Sequence, residues 1–212
     1  SARVRVEGTG ATLDISPDLP TLRRELDGVL SLDPAAPHHF TTASPRIALD
    51  DDITAYAAAS LAHGATVREI VAGFGERIHR DFRYDAKSTE VETLPKRAFE
   101  LRRGVCQDFT QVMIAGLRGI GIPAGYVSGF LRTIPPPGKE RLAGADAMHA
   151  WVRVWCGNES GWVGYDPTNG TFTGDDHIFV AVGRDYEDVA PIAGVLRMAG
   201  RQRTSQSVDV VP

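Results

Sequence analysis

The hydrophobic repeat of this 212-residue chain changes at Pro123, and this change constrains the fold more than any other feature. Before Pro123, apolar residues recur every three or four positions, a spacing that predicts helices. After it, short alternating runs are separated by turn residues, a pattern typical of strands. Helices followed by strands predict an α+β domain with a mostly antiparallel sheet.

The predicted elements have the following bounds. Helices are expected at Ile53–Ala62, at Thr66–Arg80 and from Cys106 to a stop formed by Gly119, Gly121 and Pro123. A loop is predicted to precede the last helix, as far as Leu101. Strands are expected at Ala124–Leu131, Ala147–Cys156, Gly161–Tyr165, Ile178–Val182, Val195–Met198 and Ser207–Val211.

The first 45 residues are weakly patterned. Arg3–Glu7 alternates like a short strand, and a short helix is predicted around Leu22–Leu30 among several prolines. We interpret residues 1–45 as an N-terminal lead-in, or as the remainder of a larger N-terminal domain, and residues 46–212 as the main domain. The chain starts with Ser1-Ala2 rather than Met, so a leader could precede it.

The composition excludes several classes of partner. The net charge of −4 and the pI near 5.9 give no basic stripe for nucleic acid or for an anionic membrane. No apolar run approaches the roughly 18 residues that a membrane span needs, and the N-terminus lacks a signal-peptide pattern. These observations predict a cytoplasmic protein. They do not predict its oligomeric state.

Cys106 stands where a glycine-containing loop enters a predicted helix, in Arg103-Gly104-Val105-Cys106-Gln107-Asp108. A helix N-terminus and a nearby imidazolium both lower the pKa of a cysteine thiol, commonly into about the 3.5–7.5 range. Phe109 and Met113 follow at helical spacing, so Cys106 is expected on the buried face of the helix. The position therefore favours a reactive thiol.

A base and a carboxylate follow in the predicted strands. Alternation places His149 with Trp151, Arg153 and Trp155 on one strand face, and small apolar residues, Cys156 among them, on the other. Asp166 ends the next strand of a hairpin, which can bring it beside His149. Cys106, His149 and Asp166 could thus act as nucleophile, base and orienting group. On the residues alone, ordinary structural roles also stay open: Cys106 as a small core residue, His149 as a structural or surface residue and Asp166 as a turn residue.

Other candidate sites are weaker. A Cys106–Cys156 disulfide would disable the nucleophile, and Cys156 fits a core position better. Asp50-Asp51-Asp52 fits a helix cap and first turn better than a metal site. His177 is a rival base at a strand start, whereas four other histidines are expected to be structural or solvated: His38, His39, His63 and His79.

Several separated motifs occur in one order: Arg103–Phe109, Leu117–Gly129, Met148–Val152, Gly161–Asn169 and His177–Tyr186. Over about residues 46–200 the chain resembles the bacterial branch of the transglutaminase-like superfamily, whose members are often described as cysteine proteases. The resemblance implies a papain-like core in which the helix of the nucleophile packs on an antiparallel sheet. It also implies that Cys106, His149 and Asp166 form the catalytic triad.

The resemblance implies cleavage of a peptide or protein amide through a thioester. Two alternatives remain at this point: transfer of the acyl group to an amine, as in transglutamination, and a catalytically silent peptide-binding module on the same scaffold. No cofactor and no metal follow from any of them; Asp175-Asp176 alone is not an oxygen-rich calcium loop. We expect the segment from Ile134 to Gly144 to act as a lid over the substrate.

Overall fold

The computed structural model describes residues 15–132, 148–191, 194 and 207–210. Most of the helical residues precede Pro123, and a five-stranded sheet follows. The helices are α1 (Leu19–Asp27), α2 (Asp51–Ala58), α3 (Val67–Asp81), α4 (Pro95–Leu101), α5 (Cys106–Gly119) and α6 (Tyr186–Val189), with a 3-10 helix at Pro37–Phe40.

The strands form two sheets. A short parallel pair joins β1 (Arg83–Tyr84) to β2 (Arg103–Gly104) just before α5. The main sheet has the order β6-β5-β4-β3-β7, and all of its neighbouring strands are antiparallel. Its strands are β3 (Ala124–Leu131), β4 (Met148–Trp155), β5 (Trp162–Asp166), β6 (Thr171–Phe172) and β7 (His177–Gly183).

Side-chain caps start the two helices that lead into the core. Asp50 accepts hydrogen bonds from the backbone N–H groups of Asp52 and Ile53 at the start of α2. Thr66 and Glu69 form a reciprocal capping box at the start of α3. The acidic residues at 50–52 are therefore a cap and a first turn, as predicted.

Helix α5 is the centre of the core. Every residue from Asp108 to Arg118 is buried, and the helix packs on α2, α4, β3 and β4. It ends at Gly119, and Gly121 takes the left-handed conformation with φ of 87° that closes the helix. The helix that carries Cys106 at its first position is thus packed against four other elements of the core.

The sequence predicted most of this architecture. The bounds of β3 are those expected, and α2, α3, α5, β4, β5 and β7 shift by a few residues at most. The expected loop before Leu101 is wrong in part, because Pro95–Leu101 forms α4 and Arg83–Tyr84 forms β1. The first helix begins at Leu19 rather than Leu22, and β6 was not expected.

Several predictions lie at the limits of the described residues. The expected strand at 207–211 is not formed over residues 207–210. The strand expected at Arg3–Glu7, the strand expected at Val195–Met198 and the lid expected at Ile134–Gly144 lie outside the described residues. Within the described ranges, no helix has the length and hydrophobicity to cross a bilayer.

The buried guanidinium of Arg118 joins α5 to the strands. It donates hydrogen bonds to the carbonyl oxygens of Ala124, Thr42 and Arg184, at 2.9, 3.0 and 2.6 Å, and to Oγ of Ser44 at 3.2 Å. Burial lowers its pKa to about 10, so Arg118 stays charged at neutral pH. The Ala124 carbonyl is buried and the other three contacts are partly buried, and Arg118 supplies hydrogen bonds to all four oxygens.

Arg118→Met is expected to lower the free energy of unfolding by about 2–4 kcal/mol, because it removes four hydrogen bonds at once and leaves the buried Ala124 carbonyl without this donor. Urea denaturation measures this loss. Arg97→Met is the matched control: Arg97 is exposed and lies 3.8 Å from Glu100, so the change should stay below about 0.5 kcal/mol. Equal losses in the two variants would contradict the role given to Arg118.

Candidate active site

Cys106 is the first residue of α5 and is partly buried against the core. The backbone N–H of Val105 donates to Oδ2 of Asp108 at 2.8 Å, which caps the start of the helix from inside. Asp108 Oδ2 also accepts a hydrogen bond of 2.6 Å from Oγ1 of Thr89. Burial raises the pKa of Asp108, although these two hydrogen bonds oppose the rise. The turn that carries the thiol is therefore held by a buried carboxyl group.

Gly104 is required by this cap. A Cβ atom at position 104 would lie 2.4 Å from Oδ2 of Asp108, so a larger side chain would displace the carboxyl group. One residue beyond the cysteine, Nε2 of Gln107 donates to the carbonyl of Val91 at 2.9 Å. The segment from Thr89 to Val91 thus contacts Gln107 and Asp108, the two residues that follow Cys106 in α5.

The hairpin of β4 and β5 places a histidine against a carboxylate. Val152 pairs with Tyr165, and this register brings His149 and Asp166 to the same end of the two strands. Nε2 of His149 lies 2.7 Å from Oδ2 of Asp166. Since Nε2 is engaged by Asp166, Nδ1 is the nitrogen left for Cys106, whose side chain is close enough to raise the pKa of His149. The structure therefore brings the three predicted residues together.

Asp166 is fully buried and accepts hydrogen bonds at both oxygens. Oδ1 accepts from the backbone N–H groups of Thr168 at 2.9 Å and Asn169 at 3.2 Å. Oδ2 accepts from His149, from Nδ2 of Asn169 at 2.7 Å and from Nε2 of His177 at 3.2 Å. Every one of these groups is a donor, so the site is built for a carboxylate and not for a carboxylic acid.

This network shifts both titrations. Burial alone would raise the pKa of Asp166, but its hydrogen bonds with His149, His177 and Asn169 hold that pKa well below its usual range. Burial alone would lower the pKa of His149, but its hydrogen bonds with Asp166 and Cys106 outweigh burial and raise the pKa to about 9. At neutral pH the geometry therefore favours an imidazolium on a carboxylate.

The free energy of unfolding should depend on pH through the raised pKa of His149. A pKa of about 9 in the folded state exceeds the ordinary value of 6.5, so the stabilising contribution of His149 is complete below pH 6.5. It is lost as the pH rises through 9. From pH 6.5 to 9.5 we expect the free energy of unfolding to fall by up to about 3 kcal/mol more in the wild type than in His149→Gln. Denaturant titrations at each pH measure this, and parallel pH curves for the two proteins would contradict it.

The ring of Trp151 packs next to both histidines, His149 and His177. Its ring centroid lies 6.1 Å from that of His149 and 5.2 Å from that of His177. Gly129 makes room for this ring, since a Cβ atom there would lie 2.4 Å from Cη2 of Trp151. Trp151 is fully buried, and Trp155 is buried as well.

The remaining candidates fall elsewhere. Cys106 and Cys156 are both free thiols, and Cys156 is buried in the core as expected. His79 donates from Nδ1 to the carbonyl of Thr168 at 2.8 Å and so supports the turn that follows Asp166. Asp176 pairs with Arg132 at 2.5 Å. Among the residues that the structure describes, no cluster of three or more His, Cys, Asp or Glu side chains is placed to hold a metal ion.

Two contributors to the site were not identified from the sequence. Asn169 was not singled out, although an Asp followed three residues later by Asn is a turn pattern in which the side chain and backbone of the Asn can reach the carboxylate. His177 was considered only as a rival base, whereas it contacts Asp166 and not Cys106 among the contacts found. Its place follows from the β3–β7 pairing, which spans 46 residues of sequence between Leu131 and His177.

Comparison with known proteins agrees with the geometry. The sequence profile of the Transglutaminase-like superfamily matches residues 50–167, a range that contains the three candidate residues. An uncharacterized protein of Mycobacterium tuberculosis is 42% identical over 168 residues, which are 77% of this chain and 54% of that protein. The chain therefore spans about half the length of this relative. An uncharacterized protein of Bacillus subtilis is 33% identical over 100 residues, 39% of this chain and 13% of that protein.

A solved structure shares the fold. The crystal structure of a candidate cysteine protease from Cytophaga hutchinsonii is 24% identical, with a TM-score of 0.53, and the match covers 72% of this chain and 54% of that one. At this identity the likeness concerns the fold alone. The expected papain-like arrangement, with a helix packed on an antiparallel sheet, is confirmed.

Proposed function

Since the chain belongs to the transglutaminase-like superfamily, we propose that it is a cysteine-dependent amide hydrolase acting on peptides or proteins. In this proposal Cys106 is the nucleophile, His149 is the base and acid, and Asp166 orients His149. The observation that carries it is the position of His149, which lies 2.7 Å from the buried carboxylate and also interacts with the thiol at the helix start.

The first half of the reaction makes a thioester. In the resting pair His149 is the imidazolium that holds the proton of the Cys106 thiol, and the Cys106 thiolate attacks the carbonyl carbon of the amide. The C–N bond then breaks, the imidazolium of His149 gives its proton to the leaving amine, and the acyl group stays on sulfur. Asp166 supports the imidazolium throughout without taking up the proton itself.

Helix α5 supplies donors for the oxyanion. The backbone N–H groups of Cys106 and Gln107 stand at the helix start, where no carbonyl of the helix can accept them, and no described residue does so. The N–H of Cys106 is the natural donor to the oxygen of the tetrahedral intermediate. One donor of this kind is typically worth about 3 kcal/mol in the transition state.

Water completes the reaction. His149 removes a proton from a water molecule, the hydroxide attacks the thioester, and the C–S bond breaks to release the acid and the Cys106 thiolate. Cys106 is partly exposed among the described residues, so water can reach the thioester carbon. This exposure favours hydrolysis over transfer to an amine.

The test is a mixture of synthetic peptides incubated in H2-18O with a biotin-labelled primary alkylamine, using the wild type and Cys106→Ala. The proposal predicts new carboxyl groups carrying one 18O atom, at cleaved peptide bonds or at former glutamine side chains, with the wild type only. Amine incorporation in place of 18O would replace hydrolysis by acyl transfer. Equal products from both proteins would contradict the enzyme proposal and favour a binding module.

A further inference from the structure

His177 is a second histidine on the candidate carboxylate. It is the first residue of β7, pairs with Leu131 of β3, and its side chain is only 7% exposed. Its Nε2 lies 3.2 Å from Oδ2 of Asp166, the oxygen that also accepts from His149. The two imidazole rings therefore meet at one oxygen atom, with ring centroids 6.4 Å apart.

The turn before β7 fixes the tautomer of this ring. The backbone N–H of Gly174 donates to Nδ1 of His177 at 3.3 Å, so Nδ1 carries no hydrogen. The backbone N–H of His177 donates in return to the carbonyl of Gly174 at 3.0 Å, which closes the turn from both sides. The ring hydrogen is then on Nε2, and it points at Asp166. His177 is thus a neutral donor and not a second base.

We propose that His177 is a positioning residue, which as its neutral Nε2–H tautomer holds the Asp166 carboxylate in place and limits the negative charge that Asp166 presents to His149. This inference rests on the proposed function, because it concerns the orienting residue of that reaction. It assigns His177 no contact with the substrate.

The contact has a chemical consequence beyond packing. Oδ2 of Asp166 is shared by His149, Asn169 and His177, and each donor withdraws charge from the same oxygen. The described groups that face His149 are Asp166 from β5 and Cys106 from α5, with His177 of β7 behind Asp166. Removal of the His177 donor would leave more negative charge on Oδ2 of Asp166, and this charge stabilises the imidazolium of His149. The imidazolium of His149 would then persist to higher pH and return its proton to the leaving group more slowly.

The experiment compares two substitutions at one position. His177→Phe keeps a buried ring against Trp151 but has no donor, whereas His177→Gln can place an amide N–H near the site of Nε2. On a substrate that the wild type cleaves, we expect kcat of His177→Phe to fall about tenfold with KM unchanged, and kcat of His177→Gln to stay within about threefold of the wild type. Melting temperatures of both variants are measured alongside.

Nuclear magnetic resonance gives a readout that does not depend on a substrate. In the wild type, the ring 15N shifts of His177 should show a protonated Nε2 and an unprotonated Nδ1. The titration midpoint of the His149 ring, assigned with His149→Gln, should rise by about half a pH unit or more in His177→Phe and stay near the wild-type value in His177→Gln.

The outcomes separate this inference from the proposed function. A wild type without amide cleavage would overturn the proposed function, yet the ring shifts and the titration would still test the contact. A His177→Phe variant with wild-type kcat and an unchanged His149 midpoint would overturn the inference alone. Equal losses of kcat and melting temperature in both variants would show that His177 only packs, and would also overturn it.

Discussion

Asp166→Asn is expected to slow the amide reaction by about 10³–10⁴-fold. The Asn side chain has one acceptor oxygen and one amide nitrogen, but every described neighbour of the carboxylate donates a hydrogen bond. Whichever way the amide is turned, its N–H groups face the donors of Thr168 and Asn169 or those of His149, Asn169 and His177. His149 loses its carboxylate, and its imidazolium becomes less stable in the buried site.

The measurement is kcat/KM of Asp166→Asn on a substrate that the wild type cleaves, together with the free energy of unfolding. The matched control is Asp176→Asn, a nearby carboxylate that binds Arg132 and is 35% exposed. We expect the control to retain activity within about twofold and stability within about 1 kcal/mol. An Asp166→Asn variant as active as this control would remove Asp166 from the proposed mechanism.

The second large effect concerns the packing of α3 behind the site. A Cβ atom on Gly75 would lie 1.9 Å from Cε1 of Tyr165, a buried ring on the strand residue that precedes Asp166. Gly75→Ala must therefore displace this ring or the helix. We expect the free energy of unfolding to fall by about 3 kcal/mol or more, even though alanine favours helix over glycine by about 1 kcal/mol.

Gly73 provides the control within the same helix. A Cβ atom on Gly73 meets its nearest neighbour, Cβ of Ser60, at 4.0 Å, which is an ordinary contact. Gly73→Ala should therefore stabilise the protein, by up to about 1 kcal/mol, through helix propensity alone. Urea denaturation of both variants measures the contrast, and the same sign of change in the two would contradict the packing described for Tyr165.

The sequence predicted the local parts of the fold well, because local patterns have local causes. β3 is apolar and ends at turn residues, and the Thr66 cap and Gly121 stop are short-range signals. Helix α4 was missed because its seven residues make less than two full turns of hydrophobic pattern. Its one strong signal is Pro95 at the first helical position, which is also common in loops.

In the candidate site, too, contacts between neighbouring strands could be predicted from the sequence, whereas contacts between distant segments could not. The approach of His149 to Asp166 could be predicted, since a hairpin brings neighbouring strands together whatever the rest of the chain does. The contact of His177 with Asp166 could not, because it depends on the pairing of β7 with β3 and on the turn at Gly174. The cap formed by Asp108 and Thr89 also escaped prediction, since it joins α5 to a segment without regular structure.

The central claim is that the fold holds Cys106 as a primed thiol, and its alkylation by iodoacetamide tests this most directly. Peptide mass spectrometry would follow Cys106 and Cys156 in the folded protein at pH 6, and the same two peptides in the urea-unfolded chain. We predict that folded Cys106 reacts at least tenfold faster than unfolded Cys106, that His149→Gln abolishes this advantage, and that folded Cys156 stays inert. Folded Cys106 reacting no faster than the unfolded chain would contradict the account.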